Sequence, residues 1–167
     1  MESNVYVMDT SGFIVGTNFI EGTMVTVPGV VDEIIDSSTQ LRFDLLLDSG
    51  LMVESPLDSC IEHVISVAKS TGDDSVLSGT DLDILAKALE LLSKSKVILI
   101  TDDYAVQNVA ASLGIEYRSA GSKGIKKNIL WELKCRGCGA IVKSGNECPI
   151  CGSEVKRHRV RGQNVVD

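Results

Sequence analysis

Residues 81–117 read DLDILAKALELLSKSKVILITDDYAVQNVAASLGIEY. From Asp81 to Leu92 the apolar residues recur at helical spacing. Val97–Ile100 is a run of four aliphatics, the composition of a strand buried on both faces. Tyr104–Leu113 returns to helical spacing, Gly114 is a natural helix stop, and Ile115–Tyr117 is a second short strand. Helix, buried strand, helix, strand is the order of a parallel sheet covered by helices on both faces.

The N-terminal side extends the pattern. Val5–Met8 is an apolar strand. Pro28–Ile35 reads as a short helix with proline in its first turn, where a missing N–H does no harm. Gln40–Asp48 carries Leu41, Leu45 and Leu46 at helical spacing, with Ser37, Ser38 and Thr39 as available caps and Gly50 as a stop. Leu51–Glu54 is a short strand. Leu57–Lys69 lines up Leu57, Cys60, Ile61, Val64, Ile65 and Ala68 on one helical face. Cys60 in that stripe reads as a buried structural thiol.

Acids stand where the strands end. Asp9 follows Val5–Met8, and Asp102 and Asp103 follow Val97–Ile100 and Thr101. A parallel sheet binds ligands outside the carboxyl ends of its strands, so these acids share one rim. Asp81 opens a helix and lies either on the opposite rim or on a loop brought over to this one. Glu33 sits at the edge of its helix's apolar stripe and can face the same cleft. Each acid has a plainer role too. Asp81 lies three residues after Ser78, as in a capping box; Asp102 and Asp103 suit a first turn; Glu33 suits solvent. Together, like charges at one rim call for divalent cations, and carboxylates are what Mg²⁺ and Mn²⁺ prefer. Such a cluster fits attack on a phosphodiester.

The last third differs. Residues 121–130 form a linker rich in Gly, Ser and Lys, and Ile129–Lys134 is strand-like. Cys135-Arg-Gly-Cys138 and Cys148-Pro-Ile-Cys151 then give two CxxC pairs separated by nine residues. Thiolates two apart on two tight turns make a tetrahedral S4 site suited to one structural Zn²⁺. A disulfide pair is the competing reading, disfavoured in a reducing compartment; an iron site of the rubredoxin type is another. Residues 131–161 are read as this ribbon, 1–120 as the body, and 162–167 as a mobile tail.

Charge divides the chain at the same place. Met1–Tyr117 holds 5 Lys+Arg against 19 Asp+Glu, a net of −14, whereas Arg118–Asp167 holds 11 against 4, a net of +7. A basic third suits a polyanion such as RNA. Lys123, Lys126, Lys127, Arg136, Lys143, Lys156, Arg157 and Arg159 are its candidate phosphate contacts, with Lys134 and Arg161 beside them. Trp131 packs in the ribbon or stacks on a base. His63 and His158 read as surface or phosphate-contact residues. With no apolar run of eighteen residues and an acidic N-terminus, the chain reads as cytoplasmic, without a membrane span or signal peptide.

VMDTSGFI, the Glu of VPGVVDEII, LSGTDLDILAKA and LITDDYAVQNVA, in that order, resemble the PIN-domain nucleases over roughly the first 120 residues. The resemblance implies an α/β/α sandwich with a central parallel sheet, joined to a small C-terminal β zinc ribbon. It implies that Asp9, Glu33, Asp81 and Asp103 are the catalytic acids, with Asp9, Asp81 and Asp103 holding one or two Mg²⁺ or Mn²⁺ ions. In that family the last acid stands two residues after the Thr, which selects Asp103 over Asp102; Asp102 and Thr101 are assisting candidates. A PIN domain followed directly by four cysteines is similar to the Nin-one-binding (Nob) endonucleases of archaeal type. That implies an endoribonuclease trimming the 3′ end of the small-subunit rRNA precursor, leaving a 3′-hydroxyl and a 5′-phosphate. Its partners would be the pre-small subunit and assembly factors. A toxin-like PIN ribonuclease acting on tRNA or mRNA and a non-catalytic RNA-binding adaptor are the alternatives.

Overall fold

The computed structural model describes residues 4–15, 22–120 and 130–160. The body begins with β1 (Val5–Met8), α1 (Thr10–Val15), β2 (Thr23–Thr26), α2 (Pro28–Glu33), α3 (Ser37–Asp48) and β3 (Met52–Val53). It continues with α4 (Asp58–Thr71), α5 (Gly79–Leu92), β4 (Val97–Ile100), α6 (Tyr104–Ser112) and β5 (Glu116–Arg118). The five strands form one parallel sheet in the order β3-β2-β1-β4-β5. Right-handed crossovers put α1–α3 over one face and α4–α6 over the other. The contacts agree: α1 touches α2 and α3, while α4, α5 and α6 touch one another.

From β1 the chain winds outward to β2 and β3; from β4 it winds the opposite way to β5. The sheet therefore reverses its winding between β1 and β4, which opens a cleft beyond their carboxyl ends. The two strands are in register, Met8 beside Ile100, so Asp9 and Thr101 emerge side by side. Val7, Met8, Ile98 and Leu99 are fully buried between the helical layers, each worth roughly 1.5–3 kcal/mol. That anchorage makes the rim a rigid platform.

Two elements go beyond the sequence expectation. α1 and β2 fill the interval between Val5–Met8 and Pro28. Helix α3 starts at Ser37, and its cap is Asp36, which accepts from the Thr39 N–H at 2.9 Å. Its buried face differs from the leucine stripe: Leu41 and Leu45 are 60% and 58% exposed, whereas Thr39 and Phe43 are buried. Phe43 meets Phe13 of α1 edge to face, with centroids 5.5 Å apart. Such a contact adds about 1 kcal/mol beyond its buried area, and it rotates both leucines to the outside. α2 ends at Glu33, leaving Ile35 outside the helix and exposed.

The C-terminal part forms a sheet of its own. β6 (Leu130–Cys135), β7 (Ile141–Val142) and β8 (Val155–Val160) form an antiparallel sheet in the order β7-β6-β8. Its small core is Cys135, Cys148 and Val155, with Leu133, Ala140 and Val142 packed against it. So few apolar residues cannot hold a fold by themselves, and a cross-link at the cysteines is needed. Among the described residues no helix is long and apolar enough to cross a membrane.

Candidate functional site

Asp9 extends the ladder of β1: its N–H donates to the Ile100 carbonyl at 3.0 Å, and its own carbonyl accepts from Gly12 N–H at 3.0 Å to start α1. Its side chain is thereby fixed in the cleft. It is only 8% exposed. The Thr101 hydroxyl donates to Oδ2 at 2.6 Å and the Thr10 N–H to Oδ1 at 2.7 Å. Burial pushes the carboxyl above its ordinary value, the two hydrogen bonds pull it down, and the charges of Asp81 and Glu33 push it up again, leaving it raised. What Asp9 faces is other acids.

Thr101, fully buried, works in two directions. While donating to Asp9 it accepts the Asp103 N–H at 3.1 Å. Asp103 caps α6, accepting from Ala105 and Val106 N–H at 2.7 and 3.1 Å. Asp102, one residue earlier, turns elsewhere. Its Oδ1 accepts from the Ser119 hydroxyl and from Ala120 N–H at 2.9 Å, and its own N–H donates to Ser11 Oγ at 3.1 Å. The structure thus puts Asp103 toward the acids and Asp102 toward the chain leaving β5.

Asp81 caps its own helix and lies near the other acids. Ser78 and Asp81 form a reciprocal capping box, with Ser78 N–H donating to Oδ2 at 2.7 Å and Ser78 Oγ accepting from Asp81 N–H at 3.1 Å. α5 runs antiparallel to the strands, so it starts on the rim where they end. Burial raises the Asp81 carboxyl, the Ser78 bonds lower it, and Asp103 and Glu33 raise it, for a net upward shift. Glu33, at the end of α2, receives the Thr10 hydroxyl at 2.8 Å. α2 comes close enough because Gly29 lies against Thr80: a Cβ there would sit 2.7 Å from Thr80 Oγ1. Thr10 was not foreseen, although it holds Asp9 with its backbone and Glu33 with its hydroxyl.

Asp9, Glu33, Asp81 and Asp103 are therefore linked through mutual repulsion, with Thr101 bridging Asp9 to Asp103 and Thr10 bridging Asp9 to Glu33. Two of them are held above their ordinary range, a strain that a divalent cation relieves. The donor set, all carboxylate with threonine hydroxyls behind it, fits Mg²⁺ or Mn²⁺. Among the described residues, the four cysteines are the only group of three or more His, Cys, Asp or Glu side chains with all ligand atoms within 4.8 Å of one another. The acids thus form an open cluster, which suits an ion that keeps several of its waters.

The cysteines make a closed site. Sγ of Cys135 and Cys151 are 3.3 Å apart and those of Cys138 and Cys148 3.7 Å; edges of a Zn–S4 tetrahedron are about 3.8 Å. Gly137 N–H donates to Cys135 Sγ at 3.3 Å and Ile150 N–H to Cys148 Sγ at 3.4 Å, as thiolate-holding turns require. A Cβ at Gly137 would lie 2.4 Å from Ser153 Oγ. Hydrogen bonds from Ser153 pull the Cys151 thiol down, while the neighbouring Cys151 and Cys148 sulfurs push Cys138 up, so the four thiols share their protons until a metal displaces them. None of the five cysteines is in a disulfide, and Cys60 is half-buried against the main core.

Around the ribbon, Arg136 and Lys156 lie 3.7 and 3.6 Å from Glu154, both exposed, and Lys143 is exposed as well. Arg157 turns to the body, toward Gly72 and Asp73. Lys123, Lys126, Lys127, Arg161, the side chains of Trp131 and Arg159, and the expected linker and tail lie outside the described residues.

Comparison with known proteins agrees with this geometry. Residues 6–91 match the family described as the PIN domain of ribonuclease. The chain is 42% identical to the endoribonuclease Nob1 of Archaeoglobus fulgidus over 158 residues, 94% of this chain and 92% of the relative. It is 42% identical to the endoribonuclease Nob1 of Pyrococcus abyssi over 154 residues, 90% and 91% of the two chains. Ribonuclease VapC1 of Thermoplasma acidophilum is 36% identical over 164 residues, 97% of this chain and 82% of the relative.

Proposed function

The chain belongs to the PIN-domain ribonuclease family, alongside the archaeal Nob1 endoribonucleases, and from that premise we propose that it is a divalent-metal-dependent endoribonuclease that cuts the 3′ end of the small-subunit rRNA precursor. The observation that carries the catalytic part is the acid pair flanking Thr101: Asp9, buried at the end of β1, and Asp103, at the head of α6, both hydrogen-bonded to it.

Asp9, Asp81 and Asp103, with Glu33 beside them, would hold one or two Mg²⁺ or Mn²⁺ ions. When bound, such an ion supplies charge stabilisation at the scissile phosphate. The residues themselves do the positioning. Thr101 keeps the Asp9 carboxylate aimed outward and ties Asp103 to it, so the two acids move together. Thr10 holds Glu33 at a fixed distance from Asp9. Asp9, the buried member, is shielded from water, which strengthens its interactions, while Asp81 is half-buried and Glu33 and Asp103 are open to an incoming ligand.

An acidic body repels RNA. The basic C-terminal third, with Arg136, Lys143 and Lys156 exposed on the ribbon, supplies the attraction; phosphate contacts of this kind fix register without reading sequence. The pre-small subunit, with its assembly factors, is then the natural setting, and the cytoplasm the compartment. The similarity to ribonuclease VapC1 spans 97% of this chain, so the C-terminal third belongs to that match as well. The RNA that is cut separates the two readings. Incubation with the precursor's 3′ region, with tRNA and with mRNA, in Mn²⁺ or EDTA, tests the assignment; cutting confined to tRNA or mRNA would overturn it.

A further inference from the structure

Asp73 is a carboxylate only 2% exposed. A charge buried so deeply needs partners. Asn108 of α6 donates its Nδ2–H to Oδ2 at 2.6 Å. The other oxygen, Oδ1, lies 3.7 Å from Nη2 of Arg157, which comes from the ribbon strand β8. The same Nη2 also donates to the Gly72 carbonyl. Gly72 is the left-handed C-cap of α4, with φ of 78°, so the guanidinium sits at a helix carboxyl end, where a cation is favoured. Asp73 N–H donates back to the Ala68 carbonyl at 3.0 Å. The body therefore presents a rigid acceptor corner before the ribbon arrives.

This corner lies on the catalytic rim. α5 starts there with Asp81, and α4 is joined to it by residues 73–78, so the carboxyl end of α4 is on the same side of the sheet. The chain also leaves the body there, where Asp102 holds Ser119 and Ala120. On β8, alternation sends Lys156 and His158 away from the face that carries Arg157, and both are exposed.

We infer that Arg157 is a positioning residue that latches the ribbon onto the Gly72–Asp73 corner and so fixes the span between the RNA held by the ribbon and the phosphodiester at the acids. The inference rests on the nuclease reading for its second half only. The cation is spent on the body, while its neighbours Lys156 and His158 remain for phosphate. A fixed span gives one cut position; a ribbon released onto its linker gives several.

The test uses the full-length, zinc-loaded protein, its Arg157→Ala and Arg157→Lys variants, and backbone amide relaxation without RNA. Zinc content confirms that each ribbon is folded. In the unsubstituted protein, ribbon and body amides share one correlation time. In Arg157→Ala the ribbon value falls roughly twofold while the body is unchanged, and Arg157→Lys lies between. Product ends mapped on a single-stranded RNA show one cut for the unsubstituted protein and cuts spread over adjacent phosphodiesters for Arg157→Ala. Independent ribbon tumbling in the unsubstituted protein, shared tumbling in Arg157→Ala, or an unmoved single cut in Arg157→Ala each overturns the inference. Failure of every protein to cut RNA contradicts the nuclease reading instead, because the relaxation comparison judges the latch without RNA.

Discussion

Replacing Thr101 by Val removes one hydroxyl and keeps the shape of the side chain. In the structure that hydroxyl makes two bonds: it donates to Asp9 Oδ2 at 2.6 Å and accepts Asp103 N–H at 3.1 Å. The first is a bond to a charged group, worth about 1.5–3 kcal/mol, and losing the second orphans an N–H at a cost of about 1–3 kcal/mol. The two losses share one site, so the expected drop in unfolding free energy is about 3 kcal/mol. If the alignment of Asp9 carries the catalytic share of the first bond, cleavage efficiency falls about 10- to 100-fold, at 1.36 kcal/mol per decade. The pH profile moves too. The Thr101 bond lowers the Asp9 carboxyl against a burial that raises it, so its removal raises that carboxyl further. Cleavage needs the ionised form, and the acid limb shifts to higher pH. The same sign governs stability. A carboxyl raised on folding favours the protonated native state, so its stabilising contribution is full below the ordinary carboxylate value and is lost as pH rises through the raised one. Urea unfolding and single-turnover cleavage at several pH values measure both effects. Thr101→Ser keeps the hydroxyl and should stay within about threefold of the unsubstituted protein. Equal behaviour of the Val and Ser variants would refute the bridging role.

Asp103→Asn should abolish metal-dependent cleavage, whereas Asp102→Asn, whose amide oxygen can still receive Ser119 and Ala120, should retain most of it; product yield on one RNA decides. Gly29→Ala drives a Cβ to 2.7 Å from Thr80 Oγ1, costing about 1–3 kcal/mol and moving Glu33 off the cluster. Thermal melts and Mn²⁺ titration should show both losses, and adding Thr80→Ala should recover them. Chelation of the ribbon metal should collapse the amide dispersion of residues 130–160 and leave the body folded, since the main core contains no ribbon residue; persistent ribbon signals in stripped protein would contradict that.

Much of the fold was legible, for identifiable reasons. Val5–Met8 and Val97–Ile100 are doubly buried strands, and unbroken aliphatic runs announce such strands directly. The CxxC spacing announces its own chemistry. β2 was hidden because TMVT is short and half polar, and α1 because TSGFIV is short and has a glycine inside it. Leucine counting failed on α3, where one Phe43–Phe13 contact outweighed two leucines. The rim of Asp81 was underdetermined until the helix direction was considered: a helix leading into a parallel strand starts where the strands end. Asp102 and Asp103 are indistinguishable by spacing to a strand. What separates them is the pair of partners at Ser119 and Ala120, far along the chain. Thr10 escaped notice because a threonine after an acid carries no signal until Glu33 is brought beside it.

The most direct test is cleavage of an RNA spanning the 3′ end of the small-subunit rRNA and its extension, by the unsubstituted protein and by Asp9→Asn, with Mn²⁺ or with EDTA. The account predicts a single Mn²⁺-dependent cut at the mature end by the unsubstituted protein, and RNA binding without cutting by Asp9→Asn. Cleavage that survives EDTA, or that Asp9→Asn carries out as fast, would contradict it.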